Sequence, residues 1–317
     1  MAKRKVSRRK YSQKTAISPA EQITAAIIEK LEAGTKPWVQ PWRGIPVSRP
    51  LRSCGTPYKG MNVIWLWMVA ETSGFGSPYW MTYRQCAKLG GQVRKGEKST
   101  IAIFYKSYTK DIDGSDNEET KETRRVSKAY AVFNADQCEG LPEFYHPLPE
   151  DVTVQPEGRV AELDQFFESV GAKIVHCGSH AFYQSGLDRI TMPKPELFNS
   201  FDHYYATLAH ELSHWTGHSS RLDRDLKNRF GSAAYAAEEL VAELSSAMLG
   251  GELGLPVSHL DSHASYIGHW LKLLKSDDRA ILTAAAKAEE ASSLLIHLGG
   301  KSRMPQSDRA PLTTKAA

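Results

Sequence analysis

The sequence has few cysteines, no long hydrophobic run and no secretory leader, and each absence excludes a class of protein. Its four cysteines include no Cys-x-x-Cys pair, so neither a thiolate zinc site nor a disulfide framework is indicated. The longest nearly continuous apolar run, 63–70, has eight residues, whereas a membrane-spanning helix needs about 20. The basic N-terminal residues are not followed by the apolar segment of a secretory signal. We therefore expect a soluble protein of the reducing cytoplasm, with no membrane partner.

Charge is distributed unevenly along the chain. Residues 1–110 contain 20 Lys and Arg but 5 Asp and Glu, whereas residues 111–317 contain 20 and 31. The net charge of +4 therefore combines a half of +15 with a half of −11. Five of the seven tryptophans lie in the first 110 residues, and all eleven histidines lie at or after His146. The two halves of the chain are built for different chemistry.

The length of 317 residues suits two domains of about 150 residues each. A proline-rich stretch over 141–156 marks the boundary between them. We predict an α+β protein of two domains, divided as follows: a basic disordered tail (1–17), a first domain (18–145), a linker (146–156), a second domain (157–300) and a polar tail (301–317).

Hydrophobic periodicity and punctuating residues predict the elements of both domains. A capping box at Ser18 with Pro19 at the first helical position begins a helix that ends at Gly34. The other predicted helices are 62–71, 82–89, 158–170, 202–216, 232–249 (ended by two glycines), 261–275 and 277–298. The predicted strands are 101–106, 129–133, 173–176 and an edge strand over 187–192, with an exposed hairpin tip over 111–125.

Residues 210–214 read HELSH, an HExxH sequence. On a helix, His210 and His214 lie on one face, so both imidazoles can reach one ion. Glu211 then projects beside the open position, where it can act as the general base. An apolar stripe on the opposite face supports the helix independently of the motif; it consists of Tyr204, Leu208, Leu212 and Trp215.

HExxH alone arises by chance, so a third ligand decides whether the site exists. The metzincin pattern requires a histidine where this chain has Ser220, and a hydroxyl is a poor zinc ligand. The other known solution takes a glutamate from a downstream helix, and Glu239 lies 25 residues after His214. Glu243 shares its face and would hold a histidine N–H, whereas Glu238 points about 100° away. We predict a His2Glu site for Zn²⁺, with another divalent ion such as Mn²⁺ as the alternative.

Two alternatives stay open around this site. A helix rich in Glu and Ala is also typical of a solvated surface, although Leu240 and Leu244 favour packing. The group that would stabilise an oxyanion is not identified, and four residues compete for that role: Tyr183, His259, His263 and Tyr266.

The basic half has the composition of a single-stranded nucleic-acid binding surface, which combines cations for phosphates with aromatic faces for bases. The predicted contact residues are Trp38, Trp42, Arg43, Arg49, Arg52 and Lys59 in and after a proline-rich loop, and Arg94, Lys95 and Lys98 in a basic turn. The alternative is that the tryptophans are core and that the basic tail attracts any acidic partner, lipids included. No zinc-finger, helix-turn-helix or RRM signature is present, so sequence-specific reading of duplex DNA is not expected.

Both halves resemble one family, the ArdC-type antirestriction proteins of conjugative plasmids, whose two modules also occur at the N-terminus of some plasmid DNA primases. The matching segments span roughly residues 18–298: Pro37-Trp38 to Pro41-Trp42, Tyr58 to Asn62, Gly90 to Glu97, Val132 to Asn134, His210 to His218 with Arg221-Leu222, Tyr235 to Leu244, and Tyr266 with Trp270.

The resemblance implies a first module that binds single-stranded DNA and a second that is zincin-like. It further implies that the protein shields entering plasmid DNA from host restriction enzymes. We expect no primase activity, because no primase segment follows in this sequence. The competing hypothesis is a zinc metallopeptidase that acts on a DNA-associated protein, such as a host restriction component, with the first module as a localiser. A third hypothesis is a purely structural metal, which would need no general base at Glu211.

Overall fold

The first helix, α1 (Pro19–Glu32), begins at the predicted capping box. The Ser18 hydroxyl accepts a hydrogen bond from the Glu21 N–H, and the Glu21 carboxylate accepts one from the Ser18 N–H (3.2 and 2.6 Å). The face that repeats every four residues in the sequence is buried at Ile23 and Ile27. Local capping and amphipathic spacing therefore define this helix as expected.

The computed structural model describes residues 18–38, 48–112, 120–146, 160–226, 229, 231–255 and 264–301. The predicted tails and the linker 146–156 lie almost wholly outside these residues. The remaining helices are α2 (Met61–Ser73), α3 (Tyr83–Lys88), α4 (Ala161–Ser169), α5 (Phe201–Thr216), α6 (Ala234–Leu253), α7 (Ala264–Ser276) and α8 (Ala280–Leu298). Helix α6 runs past the two glycines predicted to end it, because the left-handed residue that caps it is Gly254 (φ 72°).

The first half contains a four-stranded sheet in the order β1-β2-β5-β4 and a two-stranded sheet, β3-β6. Their strands are β1 (Leu51–Arg52), β2 (Tyr79–Met81), β3 (Gln92–Val93), β4 (Thr100–Ile112), β5 (Thr120–Asn134) and β6 (Cys138–Glu139). Strands β4 and β5 form a long antiparallel ladder that still pairs Ile112 with Thr120. The predicted exposed tip over 111–125 is therefore too long, because its polar residues continue the ladder.

The second half contains a three-stranded sheet in the order β7-β9-β8. Its strands are β7 (Lys173–His176), β8 (Phe182–Gln184) and β9 (Arg189–Met192). Strand β9 was predicted at the edge but lies in the centre, parallel to β7 and antiparallel to β8. The short strand β8, which has no clear hydrophobic period, takes the edge instead. The α+β class is confirmed.

One hydrophobic core joins the two halves. It contains Ile27 and Trp67 from the first half and Leu240, Trp270 and Ala285 from the second, all buried. Polar contacts cross the same boundary: the Thr24 hydroxyl donates to the Asp278 carbonyl oxygen (2.7 Å). The two halves are therefore packed together through a shared core. Among the described residues, no helix is long and apolar enough to cross a bilayer.

Candidate metal centre

Two buried helices bring the predicted ligands together. Helix α5 presents His210 and His214 one turn apart, and its first turn is capped by the Ser200 hydroxyl, which accepts from the His203 N–H (3.2 Å). Helix α6 packs against it and presents Glu239. Neither helix lies on the surface at this point, because the side chains of His210 and Glu239 are buried and that of His214 is nearly so. The solvated-surface alternative for α6 is therefore wrong.

The three candidate ligand residues have the spacing of a divalent-metal site. The Nε2 atoms of His210 and His214 are 3.2 Å apart. One carboxylate oxygen of Glu239 lies 3.7 Å from the first of these nitrogens, and the other oxygen lies 3.6 Å from the second. Tetrahedral bonds of about 2.0–2.2 Å would separate ligand atoms by about 3.3–3.6 Å. Among the described residues, this is the one cluster of three such ligands.

Negative charge surrounds His210. Glu211 is buried beside it on the same helix, with 8% of its surface exposed. Burial lowers the pKa of His210, but the adjacent Glu239 and the charges of Glu243 and Glu211 outweigh burial and raise it. This field also favours a bound cation. The role of Glu211 as general base stays a prediction.

Glu238, which the helical angle predicted to point away from the metal ligands, orients His214. Its carboxylate lies 3.2 Å from Nδ1 of His214, the nitrogen opposite the ligand nitrogen. Arg224 holds Glu238 from the other side with two hydrogen bonds (2.8 and 2.5 Å) and also donates to the Ser213 carbonyl oxygen. Burial would raise the pKa of Glu238, but Arg224 and His214 bring it down to about 2. A carboxylate–imidazole pair of this kind fixes the tautomer of a metal-binding histidine.

Glu243, predicted to hold a histidine N–H, is fully buried one turn beyond Glu239. Its carboxylate contacts the Lys36 ammonium (3.3 Å), which comes from the first half of the chain. Its predicted hydrogen bond to a histidine stays a prediction. Neither Lys36 nor Arg224 could be placed here from the sequence, because both come from irregular segments outside the two helices that carry the ligands.

Two of the four candidate oxyanion stabilisers, Tyr183 and Tyr266, lie in the described part of the chain. A pocket of about 220 Å³ lies beside His214 and is lined on one side by Tyr183 and Ser185. The Tyr183 hydroxyl donates a hydrogen bond to the Asp188 carboxylate (2.9 Å), which also accepts one from the Arg221 guanidinium. Tyr266 shares a hydrogen bond with Tyr235 (2.9 Å). His259 and His263 lie outside the described residues.

Two of the predicted DNA-binding residues are wrong. Trp38 is completely buried and meets Trp270 edge to face (5.6 Å between centroids), so its ring cannot stack on a base. Arg49 is 3% exposed and forms ion pairs with Glu252 and Glu289 (2.7 and 2.8 Å). Both residues join the first half to the second rather than facing solvent.

The other predicted DNA contacts divide into three groups. Trp42 and Arg43 lie outside the described residues. Arg52 is half-buried, with its guanidinium over the Tyr58 ring (5.5 Å). The rest are exposed: Lys59, Arg94, Lys95 and Lys98.

Each half of the chain matches the model of a known protein family. Residues 18–133 match the N-terminal domain of the anti-restriction factor ArdC, and residues 161–287 match the zincin-like metallopeptidase domain. The chain is 39% identical to the uncharacterized protein y4eC of Sinorhizobium fredii, over 85% of this chain and 89% of that protein. It is also 42% identical to the DNA primase TraC of Escherichia coli, covering 87% of this chain but 27% of TraC.

Two solved structures resemble the whole fold. They are the metal-free and Mn(II)-bound structures of the antirestriction protein ArdC from plasmid R388, with TM-scores of 0.76 and 0.73. The sequence identities are 41% and 42%, and each match covers 90% of this chain and 99% of the other. With that identity over nearly the full length of a solved relative, this chain belongs to the ArdC family of antirestriction proteins.

Proposed function

We propose that this protein binds single-stranded DNA without sequence preference and shields incoming conjugative DNA from host restriction. Its second half holds a divalent ion through His210, His214 and Glu239. The observation that carries the proposal is a basic, aromatic surface on the family's N-terminal domain, described below. Zn²⁺ and Mn²⁺ both suit the two imidazoles and one carboxylate, and Mn(II) is the ion named for the solved relative.

The surface lies around a tight turn, residues 94–98, which we call the basic turn. Gly96 takes a left-handed conformation (φ 92°) in this turn, which glycine adopts without strain. Arg94 is paired with Glu97 (2.9 Å), so Lys95 and Lys98 contribute most of the outward positive charge. Ammonium groups on such a turn contact phosphates and release counterions.

Tyr83 supplies the aromatic face that Trp38 does not. Its side chain is among the exposed large hydrophobic groups, with 51% of its surface accessible. Its hydroxyl accepts a hydrogen bond from the Gln92 amide (2.8 Å), and Gln92 lies two residues before the basic turn. An exposed ring held by the residue pair that leads into the basic turn can stack an unpaired base while the ammonium groups contact phosphates. Tyr83 is not among the predicted contacts, in which tryptophan is the only aromatic residue type.

Fluorescence anisotropy with a labelled oligonucleotide tests this surface. Tyr83→Ala should weaken single-strand binding by about tenfold, since one stacked base contributes about 1–3 kcal/mol. The double variant Lys95→Gln/Lys98→Gln should lower the log–log salt slope by about 1.4, or about 0.7 for each lost phosphate contact. Phe182→Ala removes another exposed aromatic ring (41% accessible) from the second half and serves as the control. Equal losses for Tyr83→Ala and Phe182→Ala, or equal affinity for duplex DNA, would contradict the proposal.

A metallopeptidase is the second candidate, favoured by the three-ligand cluster and the adjoining pocket. Three protein ligands leave a fourth position, as in catalytic zinc sites. When bound, a divalent ion supplies Lewis-acid chemistry and activates water. Glu211 would accept a proton from an attacking water, while Glu238 and Arg224 keep His214 oriented.

One transfer experiment separates the two candidates. A plasmid is conjugated into a restricting recipient with wild-type protein, Glu211→Ala or Tyr83→Ala. If the protein acts by shielding DNA, Glu211→Ala should protect the plasmid from restriction as well as wild type does, and Tyr83→Ala should not. Loss of protection in Glu211→Ala, with unchanged DNA affinity, would favour peptidase action instead.

A further inference from the structure

We propose that Lys36, in the ArdC-type N-terminal half, is a positioning residue of the metal centre in the zincin-like half. It acts through Glu243, which it holds in place beside His210. The inference rests on the proposed metal site and assigns part of that site to the other half of the protein.

The contact between Lys36 and Glu243 is buried on both sides. The ammonium lies 3.3 Å from the carboxylate, and the two side chains are 10% and 0% exposed. Lys36 also lies over the ring of Trp270 (5.9 Å). Trp270 in turn meets Trp38, two residues along the chain from Lys36. The side chain is therefore fixed by packing as well as by charge, unlike a lysine on a surface.

Glu243 occupies a position from which it influences the ligands. It follows Glu239 by one helical turn, so both carboxylates project from one face of α6. It is also one of the carboxylates whose charge acts on His210. His214 is oriented by Glu238 and Arg224. On the side of His210, Glu243 acts through its charge and has the Lys36 ammonium behind it.

The physical reason for the coupling is desolvation. A fully buried carboxylate is stable only when a cation or several hydrogen bonds compensate it. If Lys36 is removed, Glu243 loses the cation that compensates its buried charge, and its position near His210 changes. Changing such an outer partner of a metal ligand typically weakens metal binding by 10- to 100-fold.

Isothermal titration with Mn²⁺ on the full chain tests the inference. Lys36→Met should bind Mn²⁺ at least tenfold more weakly than wild type, and Lys36→Arg should return to within about threefold. The matched control is Lys275→Met, because Lys275 also pairs across the two halves, with Glu32 (2.6 Å), but at an exposed position. This control should bind Mn²⁺ like wild type.

Comparing a neutral pair with Glu243→Gln covers the case in which Lys36→Met does not fold. Glu243→Gln should weaken Mn²⁺ binding, and the neutral pair Lys36→Met/Glu243→Gln should bind like Glu243→Gln alone, because Lys36 acts only through that carboxylate. Additive losses, or wild-type or tighter binding by folded Lys36→Met, would overturn the inference. His214→Ala identifies a failure of the metal site itself: if that variant retained stoichiometric Mn²⁺, both the site and this inference would be wrong.

Discussion

Replacing Arg49 with methionine should destabilise both halves of the protein in a single transition. Arg49 is buried, and it pairs with Glu252 at the end of α6 and with Glu289 on α8. It also contacts the Ser292 hydroxyl (3.3 Å). A methionine would fill much of the same space but would leave two carboxylates without their cation.

The magnitude follows from this environment. Breaking a fully buried ion pair costs about 3–5 kcal/mol. The lower end applies here, because Glu252 keeps 22% of its side chain exposed and Glu289 retains a hydrogen bond from the Gly60 N–H. A loss of about 3 kcal/mol in a unit of this size lowers Tm by about 6 °C, at about 2 °C per kcal/mol.

Thermal unfolding followed by circular dichroism and by tryptophan fluorescence measures the effect. Both signals should shift together, because tryptophans of both halves (Trp38, Trp67, Trp80 and Trp270) share one core with residues of α1, α2, α6, α7 and α8. Arg94→Met is the control: its exposed pair with Glu97 should contribute less than about 1 kcal/mol. At 20 °C, Arg49→Met should bind single-stranded DNA like wild type. An unchanged Tm, or two separate transitions of which one shifts, would refute the argument that Arg49 joins the halves.

Two further predictions concern the second half. His214→Ala and Glu239→Ala should lose stoichiometric metal by elemental analysis, whereas Glu238→Ala should retain it with about tenfold lower affinity. If Glu238→Ala lost the metal and Glu239→Ala retained it, Glu238 would be the ligand instead of Glu239. Hydrogen bonding from Arg221 lowers the pKa of Asp188 to about 2, below the value near 4 of an unfolded chain. The stability from this pair is therefore complete above about pH 4 and is lost as the pH falls toward 2. The urea midpoints of wild type and Asp188→Asn should differ at pH 6 and converge toward pH 3. Asparagine is the suitable replacement because it tolerates the left-handed backbone at this position (φ 43°). A constant difference between the midpoints would show that the carboxylate charge is not involved.

Local features of the sequence determined the helices and the ligand set. A capping box and a four-residue apolar repeat need only neighbouring residues, so α1 and α5 were predicted to within a residue or two. The spacing of His210 and His214 on one turn places their rings together in any α-helix. Glu239 followed from the pairing of two motifs on two helices, and the structure brings all three side chains within metal-binding distance.

Tertiary packing decided which charged and aromatic residues face solvent. Trp38 and Arg49 lie in a proline-rich, basic segment that reads as exposed, yet their partners are Trp270, Glu252 and Glu289, more than 200 residues away. No local pattern encodes such contacts. The same limit applies to Glu238 and Glu243. Their angle on the helix was known from the sequence, but the partners that reach them, Arg224 and Lys36, were fixed only when α5, α6 and the first half packed into one core.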